Sequence, residues 1–249
     1  MSKPGTLLFI HGFPLDHTLW RHQVRAFSGT HRVLAPDLRG FGEDKRAVPE
    51  EMTMERYAAD LKELLDEQGV ERATLVGLSM GGYIAMAFAA KWPDMVRGLV
   101  LANTRAGGDD EDAVKARREM ARNAVDKGMA VIARGMVPNL LSDRTRQRTP
   151  RLAAEVEAMI ARQSPQATAA AAKGMARRPD RTAWLRTLRL PVLVITGEQD
   201  KLMPLPTSQA MADALPRAAL VVLSGAGHLS NLEQPEAFNA QVEAFLGRL

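Results

Sequence analysis

The 249-residue sequence contains no cysteine, which excludes disulfide scaffolds, thiolate metal sites and cysteine nucleophiles. It also has no apolar run of the ~18 residues that a membrane-spanning helix needs, so we expect no membrane partner. The first residues, MSKPGTLLFIHG, place one lysine directly before a strand-like run and lack the cleavage site of a signal peptide. We therefore expect a soluble, cytoplasmic protein.

Aromatic residues are scarce and the basic charge is concentrated in one segment. Between Arg105 and Arg189 there are 18 Lys and Arg against 10 Asp and Glu, a net charge of +8, whereas the rest of the chain carries −4. These basic residues are dispersed among acids and alanines, and few aromatic rings are available for base stacking, so we expect no nucleic-acid partner. Two explanations of the charge stay open: a solvated helical surface, which we favour, and steering of anionic ligands.

Short apolar runs alternate with helical patterns along the chain. Helices are predicted over residues 52–68, 80–92 and 236–249. Bounding Gly, Pro, Asp or Asn residues mark the apolar runs as buried parallel strands. The alternation predicts an α/β fold, a doubly wound, mostly parallel sheet of about six strands with helices on both faces. The runs are TLLFIHG, HRVLAPD, ATLVGLS, VRGLVLANT, PVLVITGE and AALVVLSG.

The interval 105–189 has no good strand signal and is rich in Ala, Arg, Glu and Met. We predict an α/β core formed by residues 1–104 and 190–249, with 105–189 as a helical cap inserted after the strand that ends near Thr104. Because proline belongs at a helix start or stop, prolines are expected to divide this cap into about four helices. These are Pro138, Pro150, Pro165 and Pro179.

The stretch VGLSMGG, residues 76–82, fits the pattern G-x-S-x-G through Gly77, Ser79 and Gly81. In this pattern a serine occupies a strand-to-helix turn too sharp for larger neighbours, and its hydroxyl is exposed for nucleophilic chemistry. The flanking residues supply the required strand and helix. The alternative is a glycine-rich turn with an idle serine.

A serine nucleophile needs a base, and the base needs an orienting acid. We predict His228 as the base, because it lies in a glycine-rich loop after the last strand. His11 ends the first strand and is expected to brace its loop instead. The other histidines of the first connection, His17, His22 and His31, are expected to have surface or capping roles.

The acid is predicted from the positions of the strand ends. Asp200 follows the strand next to the one that delivers His228, and Glu198 is the fallback. Asp37 ends a strand on the far side of the serine strand, whereas Asp94 lies at the opposite end of the sheet. Ligands of parallel sheets bind beyond the carboxyl ends of the strands, which favours Asp200.

An oxyanion formed by attack on a carbonyl needs backbone N–H donors. Met80, directly after the serine, and Phe13, in the loop after the first strand, are the predicted donors, since Pro14 has no N–H. Four apolar residues are expected to line a substrate pocket, with ordinary core packing as the alternative. They are Trp20, Leu202, Met203 and Leu229.

Five motifs, HGFPLDHTLW, PDLRGFG, GLSMGG, GEQD and GAGH, stand in the order and spacing typical of the α/β-hydrolase superfamily. The chain resembles its capped carboxylesterases and 3-oxoadipate enol-lactonase-like enzymes, and is also similar to cofactor-free perhydrolases. It departs from the superfamily pattern in two places: the N-terminal antiparallel strand pair is missing, and Glu43 stands where the second loop usually has serine.

The resemblance implies a serine hydrolase that cleaves small, largely apolar carboxylic esters through an acyl-enzyme, without a metal or organic cofactor. The expected partner is a small-molecule ester or lactone. Four alternatives stay open: a lactonase acting on an anionic enol-lactone, a perhydrolase, a hydrolase of carbon–carbon bonds, and a ligand sensor that retains the triad.

Overall fold

The computed structural model describes residues 5–249, so the part of the signal-peptide prediction that concerns residues 1–4 lies outside it. Six strands form one sheet in the order β2-β1-β3-β4-β5-β6, and every pairing between neighbours is parallel. The predicted six-stranded parallel sheet is therefore confirmed. The strands are β1 Thr6–Ile10, β2 Arg32–Leu34, β3 Ala73–Leu78, β4 Val96–Ala102, β5 Val192–Gly197 and β6 Ala218–Leu223.

Twelve α-helices accompany the sheet within the described range, and the three helices predicted from sequence patterns are among them. Short 3₁₀ turns occur at His17–Trp20 and Pro93–Met95. The α-helices are α1 Arg21–Phe27, α2 Met54–Glu67, α3 Met80–Lys91, α4 Glu111–Lys127, α5 Met129–Leu140, α6 Asp143–Arg148, α7 Pro150–Ala161, α8 Pro165–Ala176, α9 Thr182–Leu185, α10 Leu205–Ala214, α11 Ser230–Glu233 and α12 Pro235–Leu246.

The sheet separates two apolar cores. Side chains alternate between the faces of a strand, so Leu8 and Ile10 of β1 belong to one core, whereas Leu7 and Phe9 belong to the other. Strands β1, β3 and β5 are buried along their whole length, because helices cover both faces. The edge strands β2 and β6 are partly exposed.

Helices α4–α9 lie between β4 and β5, in the segment that we call the insertion (residues 105–189). Four of its helices have twelve residues or more, and α6 and α9 are short. Pro150 and Pro165 begin α7 and α8, as expected. The expectation that Pro138 divides two helices is wrong: it lies inside α5. A proline removes only its own N–H donor, and after Pro138 the Leu141 N–H still donates to the Val137 carbonyl, so the end of the helix tolerates it.

The insertion contacts the loops that follow β1, β2 and β6. Gln163 donates to the Asp16 carboxylate and accepts from the Gly42 N–H, and the Leu229 N–H donates to the Leu140 carbonyl. Each of these loops leaves the carboxyl end of its strand. The insertion therefore packs on the edge of the sheet where the strand ends meet.

Ion pairs join the insertion to the core. In two of them a core cation pairs with a carboxylate of the insertion, Arg21 with Glu155 and Lys201 with Asp143. In four others a cation of the insertion pairs with a core carboxylate at 2.7–3.2 Å, and these are Arg162–Asp16, Lys173–Glu50, Arg177–Glu51 and Arg181–Glu55. Within residues 5–249, no helix has both the length and the apolarity that crossing a bilayer requires.

Candidate active site

Ser79 lies at the junction of β3 and α3 in a backbone conformation unusual for a residue with a side chain. Its φ is 54° and its ψ is −115°. Only one other non-glycine residue of the described chain, Asn103, has a positive φ. Such conformations persist where the surrounding structure enforces them. Here the Ser79 N–H donates to the Ala102 carbonyl at 2.9 Å, which ties the turn to the end of β4.

The two glycines of the motif are required by close backbone approach. A Cβ on Gly77 would lie 2.3 Å from the Gly81 carbonyl oxygen, and a Cβ on Gly81 would lie 2.0 Å from that of Ile10. Both distances are far inside van der Waals contact. Glycine at these positions lets α3 begin directly over the ends of β3 and β1, which explains the spacing around Ser79.

His228 and Asp200 form a buried hydrogen-bonded pair. The His228 Nδ1 atom is 2.8 Å from Asp200 Oδ2 and 3.0 Å from Oδ1, and 2% of the histidine side chain is exposed. The structure thus brings together the predicted base and the predicted acid. Because Nδ1 faces the carboxylate, it carries the proton, and Nε2 is left as the basic nitrogen of the neutral ring.

Several donors hold the Asp200 carboxylate. The N–H groups of Leu202 and Met203 both donate to Oδ1 at 2.9 Å. Burial opposes ionisation of this carboxyl, but the neighbouring His228 and the hydrogen bonds outweigh it and hold the pKa of Asp200 below its usual value. Asp200 is therefore ionised at neutral pH and orients the imidazole.

The end of β4 joins the serine turn to the acid loop. The Thr104 hydroxyl donates to the Ser79 carbonyl at 2.8 Å. The Asn103 amide donates to Asp200 Oδ2 at 2.8 Å, and its oxygen accepts from the Ser230 hydroxyl at 2.6 Å. The sequence predicted a strand end at residues 103–104, but no pattern indicated a role for these side chains.

His11 braces the first loop, as expected. Its Nδ1–H donates to the Gly12 carbonyl at 2.9 Å, and its Nε2 accepts from the Leu38 N–H at 3.0 Å. Complete burial is the main reason that the pKa of His11 is lowered. A neutral ring with both nitrogens occupied links the loops after β1 and β2.

The predicted oxyanion donors flank the serine turn. Met80 is the first residue of α3. Phe13 follows Gly12, whose position comes so close to the turn that a Cβ there would lie 3.4 Å from Cβ of Ser79. The loop after β1 thus runs beside Ser79, and the role of the two N–H groups stays a prediction.

The four residues expected to line a pocket do not form one cluster. Trp20 is fully buried, with its ring 5.0 Å from that of Phe9, and it shares its core with Leu229. Met203 belongs to the core on the other face of the sheet, and Leu202 is 41% exposed. Trp20, Leu229 and Met203 therefore pack in the apolar cores, and a role of the four residues in substrate binding stays a prediction.

The rejected acids are engaged elsewhere. Glu198 accepts from the Ser224 hydroxyl and the Gly225 N–H. Asp37 is hydrogen-bonded to the His17 ring at 2.8 Å, on the side of β1 away from β3. Asp94 lies in the turn before β4, at the opposite end of the sheet.

Glu233 joins the His228 loop to the insertion. Its Oε1 accepts from the Gly227 N–H at 2.8 Å. Its Oε2 accepts from the Ser142 N–H at 3.0 Å and from the Thr145 hydroxyl at 2.6 Å. The sequence did not indicate a role for Glu233, because two of the three partners of its carboxylate lie about 90 residues away in the chain.

One group in the described chain has ligand atoms close enough together to hold a metal ion: Asp16, His17 and Asp37, within 4.8 Å of one another. Hydrogen bonds already engage these groups. Arg162 donates to both oxygens of Asp16, at 2.7 and 2.8 Å, and the His17 ring faces Asp37.

Comparisons with known proteins agree with this architecture. Among curated proteins, 3-oxoadipate enol-lactonase 2 of Acinetobacter baylyi is 29% identical over 247 residues, which cover 97% of this chain and 88% of that protein. Among solved structures, a thermophilic esterase from Thermogutta terrifontis is similar with a TM-score of 0.96 and 40% identity, over 100% of this chain and 91% of that one. The enol-lactonase from Burkholderia xenovorans LB400 has a TM-score of 0.90 and 27% identity, over 99% and 92% of the two chains.

A family model described as the alpha/beta hydrolase fold matches residues 5–235. This range includes the serine turn, Asp200 and His228. The six parallel strands and their flanking helices agree with that fold. This protein belongs to the alpha/beta hydrolase fold family.

Proposed function

We propose that the protein is a carboxylesterase that cleaves small, largely apolar esters with a Ser79–His228–Asp200 triad. Ser79 attacks the ester carbonyl while His228 Nε2 takes its proton, and the N–H groups of Phe13 and Met80 stabilise the oxyanion. His228 then protonates the leaving alcohol. Water attacks the acyl-enzyme with His228 again as the base, and Ser79 is regenerated.

The observation that carries the proposal is the buried pair of His228 and Asp200, joined through the end of β4 to a strained serine turn. A serine with an unremarkable role needs neither a positive φ nor two glycines in steric contact with the neighbouring backbone. The similarity to the thermophilic esterase, which extends over the whole chain, supports ester hydrolysis.

The second candidate is hydrolysis of a lactone, which the similarity to two enol-lactonases favours. The same groups open a cyclic ester by the same steps, so the two activities differ only in the shape and charge of the bound substrate. We further infer that the insertion acts as a cap over the site, because it contacts loops at the carboxyl ends of β1, β2 and β6.

The test is the steady-state hydrolysis of a short-chain p-nitrophenyl ester by the wild type and by Ser79→Ala, with lactone opening followed in parallel by pH-stat. We expect sustained ester turnover that Ser79→Ala reduces by about 10³-fold or more. Faster opening of the lactone would favour the second candidate. A stoichiometric burst without turnover would contradict hydrolysis as the function and favour a sensor.

A further inference from the structure

Asn103, the residue after β4, is completely buried and has a φ of 48°. Left-handed backbone is unfavourable for most residues, although asparagine and aspartate tolerate it better than others do. Within residues 5–249, Ser79 and Asn103 are the two non-glycine residues with positive φ. Both follow directly after the carboxyl end of a central strand, on the adjacent strands β3 and β4.

The side chain of Asn103 connects three parts of the site. Its Nδ2 donates to Asp200 Oδ2 at 2.8 Å and to the carbonyl of Gly227, the residue before His228, at 3.2 Å. Its Oδ1 accepts from the Ser230 hydroxyl at 2.6 Å. The carboxylate and the carbonyl both only accept, so chemistry requires the NH₂ group to face them.

The residues on either side of Asn103 hold the serine turn. The Ala102 carbonyl accepts from the Ser79 N–H, and the Thr104 hydroxyl donates to the Ser79 carbonyl. Three consecutive residues therefore contact the backbone of Ser79 and the carboxylate of Asp200.

We propose that Asn103 is a positioning residue that holds the Asp200 carboxylate and the His228 loop in register with Ser79. The inference rests on the proposed function. Because the Leu202 and Met203 N–H groups take Oδ1, the Asn103 amide directs Oδ2 toward Nδ1 of His228.

The first test is Asn103→Gly, which removes the amide but accepts the positive φ, so backbone strain does not confuse the result. We expect kcat on a p-nitrophenyl ester to fall about 10- to 100-fold, as for the loss of one hydrogen bond to a charged group. KM is expected to change little, because Asn103 contacts the acid and not the substrate.

The second variant, Asn103→Asp, keeps the size of the side chain and its tolerance of the turn. It places a second carboxyl at hydrogen-bond distance from Asp200 Oδ2, and two buried carboxyls this close do not both ionise readily. The protonated carboxyl donates to Oδ2 in place of the amide, so we expect kcat above that of Asn103→Gly at low pH and a fall toward it as the pH rises and this proton is lost. Nearby charged groups are engaged elsewhere: Glu198 with Gly225, Lys201 with Asp143 of α6, and Glu233 with Gly227 and α6.

The matched control is Asn231→Ala. Asn231 is also fully buried and lies three residues after His228, but its amide donates to the Leu19 carbonyl and to Gln23. We expect it to lower the melting temperature and to leave kcat and its pH dependence as in the wild type. Equal losses of kcat in Asn231→Ala and Asn103→Gly, or wild-type kcat and pH profile in both Asn103 variants, would overturn the inference.

Assays of the wild type and Ser79→Ala separate the proposed function from the role of Asn103. If the wild type has no turnover that Ser79→Ala removes, the proposed function fails. If that turnover exists but the Asn103 variants retain it in full with an unshifted pH profile, only the role of Asn103 fails.

Discussion

At the scale of single residues, the proposed chemistry depends on which carboxylate faces His228. Asp200 does so at 2.8 Å and is held there by two backbone N–H groups and one amide. We predict that Asp200→Asn lowers kcat by about 10³- to 10⁴-fold, because the amide no longer favours the productive tautomer of the imidazole.

The matched control is Asp94→Asn, at the opposite end of the sheet. It makes the same change of charge and should leave kcat within about twofold of the wild type. Steady-state assays of both variants on one ester check this. Loss of activity in Asp94→Asn with Asp200→Asn active would contradict the assignment of the acid.

Individual site residues were predictable where the direction of a strand alone decides the position. The carboxyl ends of parallel strands meet at one edge, so Asp200 and His228 could be paired from sequence. Asn103 could not be assigned a role in the same way, because its contacts depend on a positive φ that no sequence pattern indicated. The N–H groups of Leu202 and Met203 were missed for a similar reason, since only the turn geometry directs them at Asp200.

At the scale of elements, Glu233 couples the His228 loop to the insertion through three hydrogen bonds. Glu233→Gln places an NH₂ group against a backbone N–H, so at least one of these bonds is lost. We predict a loss of about 1–3 kcal/mol in the free energy of unfolding, together with a lower kcat.

Urea unfolding and steady-state assays measure these effects. Glu236→Gln is the control. Glu236 lies exposed in the first turn of α12, and its substitution by glutamine removes the same charge as Glu233→Gln does. If the two variants were equally stable and equally active, the coupling through Glu233 would have no energetic importance.

The contact between Arg162 of the insertion and Asp16 of the loop after β1 should make the free energy of unfolding depend on pH. Burial opposes ionisation of Asp16, but hydrogen bonds from Thr18 and Arg162 outweigh it and hold the pKa of Asp16 below its usual value. A lowered pKa in the folded state stabilises the protein above about pH 4, and this contribution is lost as pH falls through the folded value.

We therefore predict that Arg162→Gln lowers the free energy of unfolding at neutral pH by about 1–3 kcal/mol. The difference from the wild type should shrink as the pH falls below about 4 and through the lowered pKa of Asp16, because the protonated carboxyl no longer pairs with Arg162. Urea titrations at several pH values measure the difference. The same difference at every pH would show that Arg162 does not act through the Asp16 carboxylate.

The main elements were predictable because apolar runs and helical periodicity are local signals. Pro138 was assigned wrongly, because a proline near the end of α5 has the same local signature as one between two helices. The short helices α6 and α9 were not separated from their neighbours, since four to six residues are too few to show a helical period.

At the scale of the whole molecule, the insertion and the core carry opposite net charges, and four cations of the insertion pair with core carboxylates. Arg177 and Arg181 pair with Glu51 and Glu55 at 3.2 and 2.8 Å. Sequence could show the asymmetry of charge but not the pairing, because the partners lie more than 120 residues apart.

We predict that the double variant Arg177→Gln/Arg181→Gln lowers the melting temperature by roughly 2–4 °C. The control, Arg118→Gln/Arg122→Gln, removes the same charge from exposed positions of α4 that make no ion pair within residues 5–249. Thermal unfolding at low ionic strength measures both. Equal shifts in the two double variants would mean that net charge, and not pairing with the core, sets the stability.

Whether Ser79 is an activated nucleophile can be measured by trapping it with a fluorophosphonate and analysing the protein by mass spectrometry. We expect one adduct per chain, on the tryptic peptide 73–91 that contains Ser79. We expect no adduct in Ser79→Ala and much slower labelling in His228→Ala. An unlabelled wild type, or equal labelling of Ser79→Ala, would show that Ser79 is not activated.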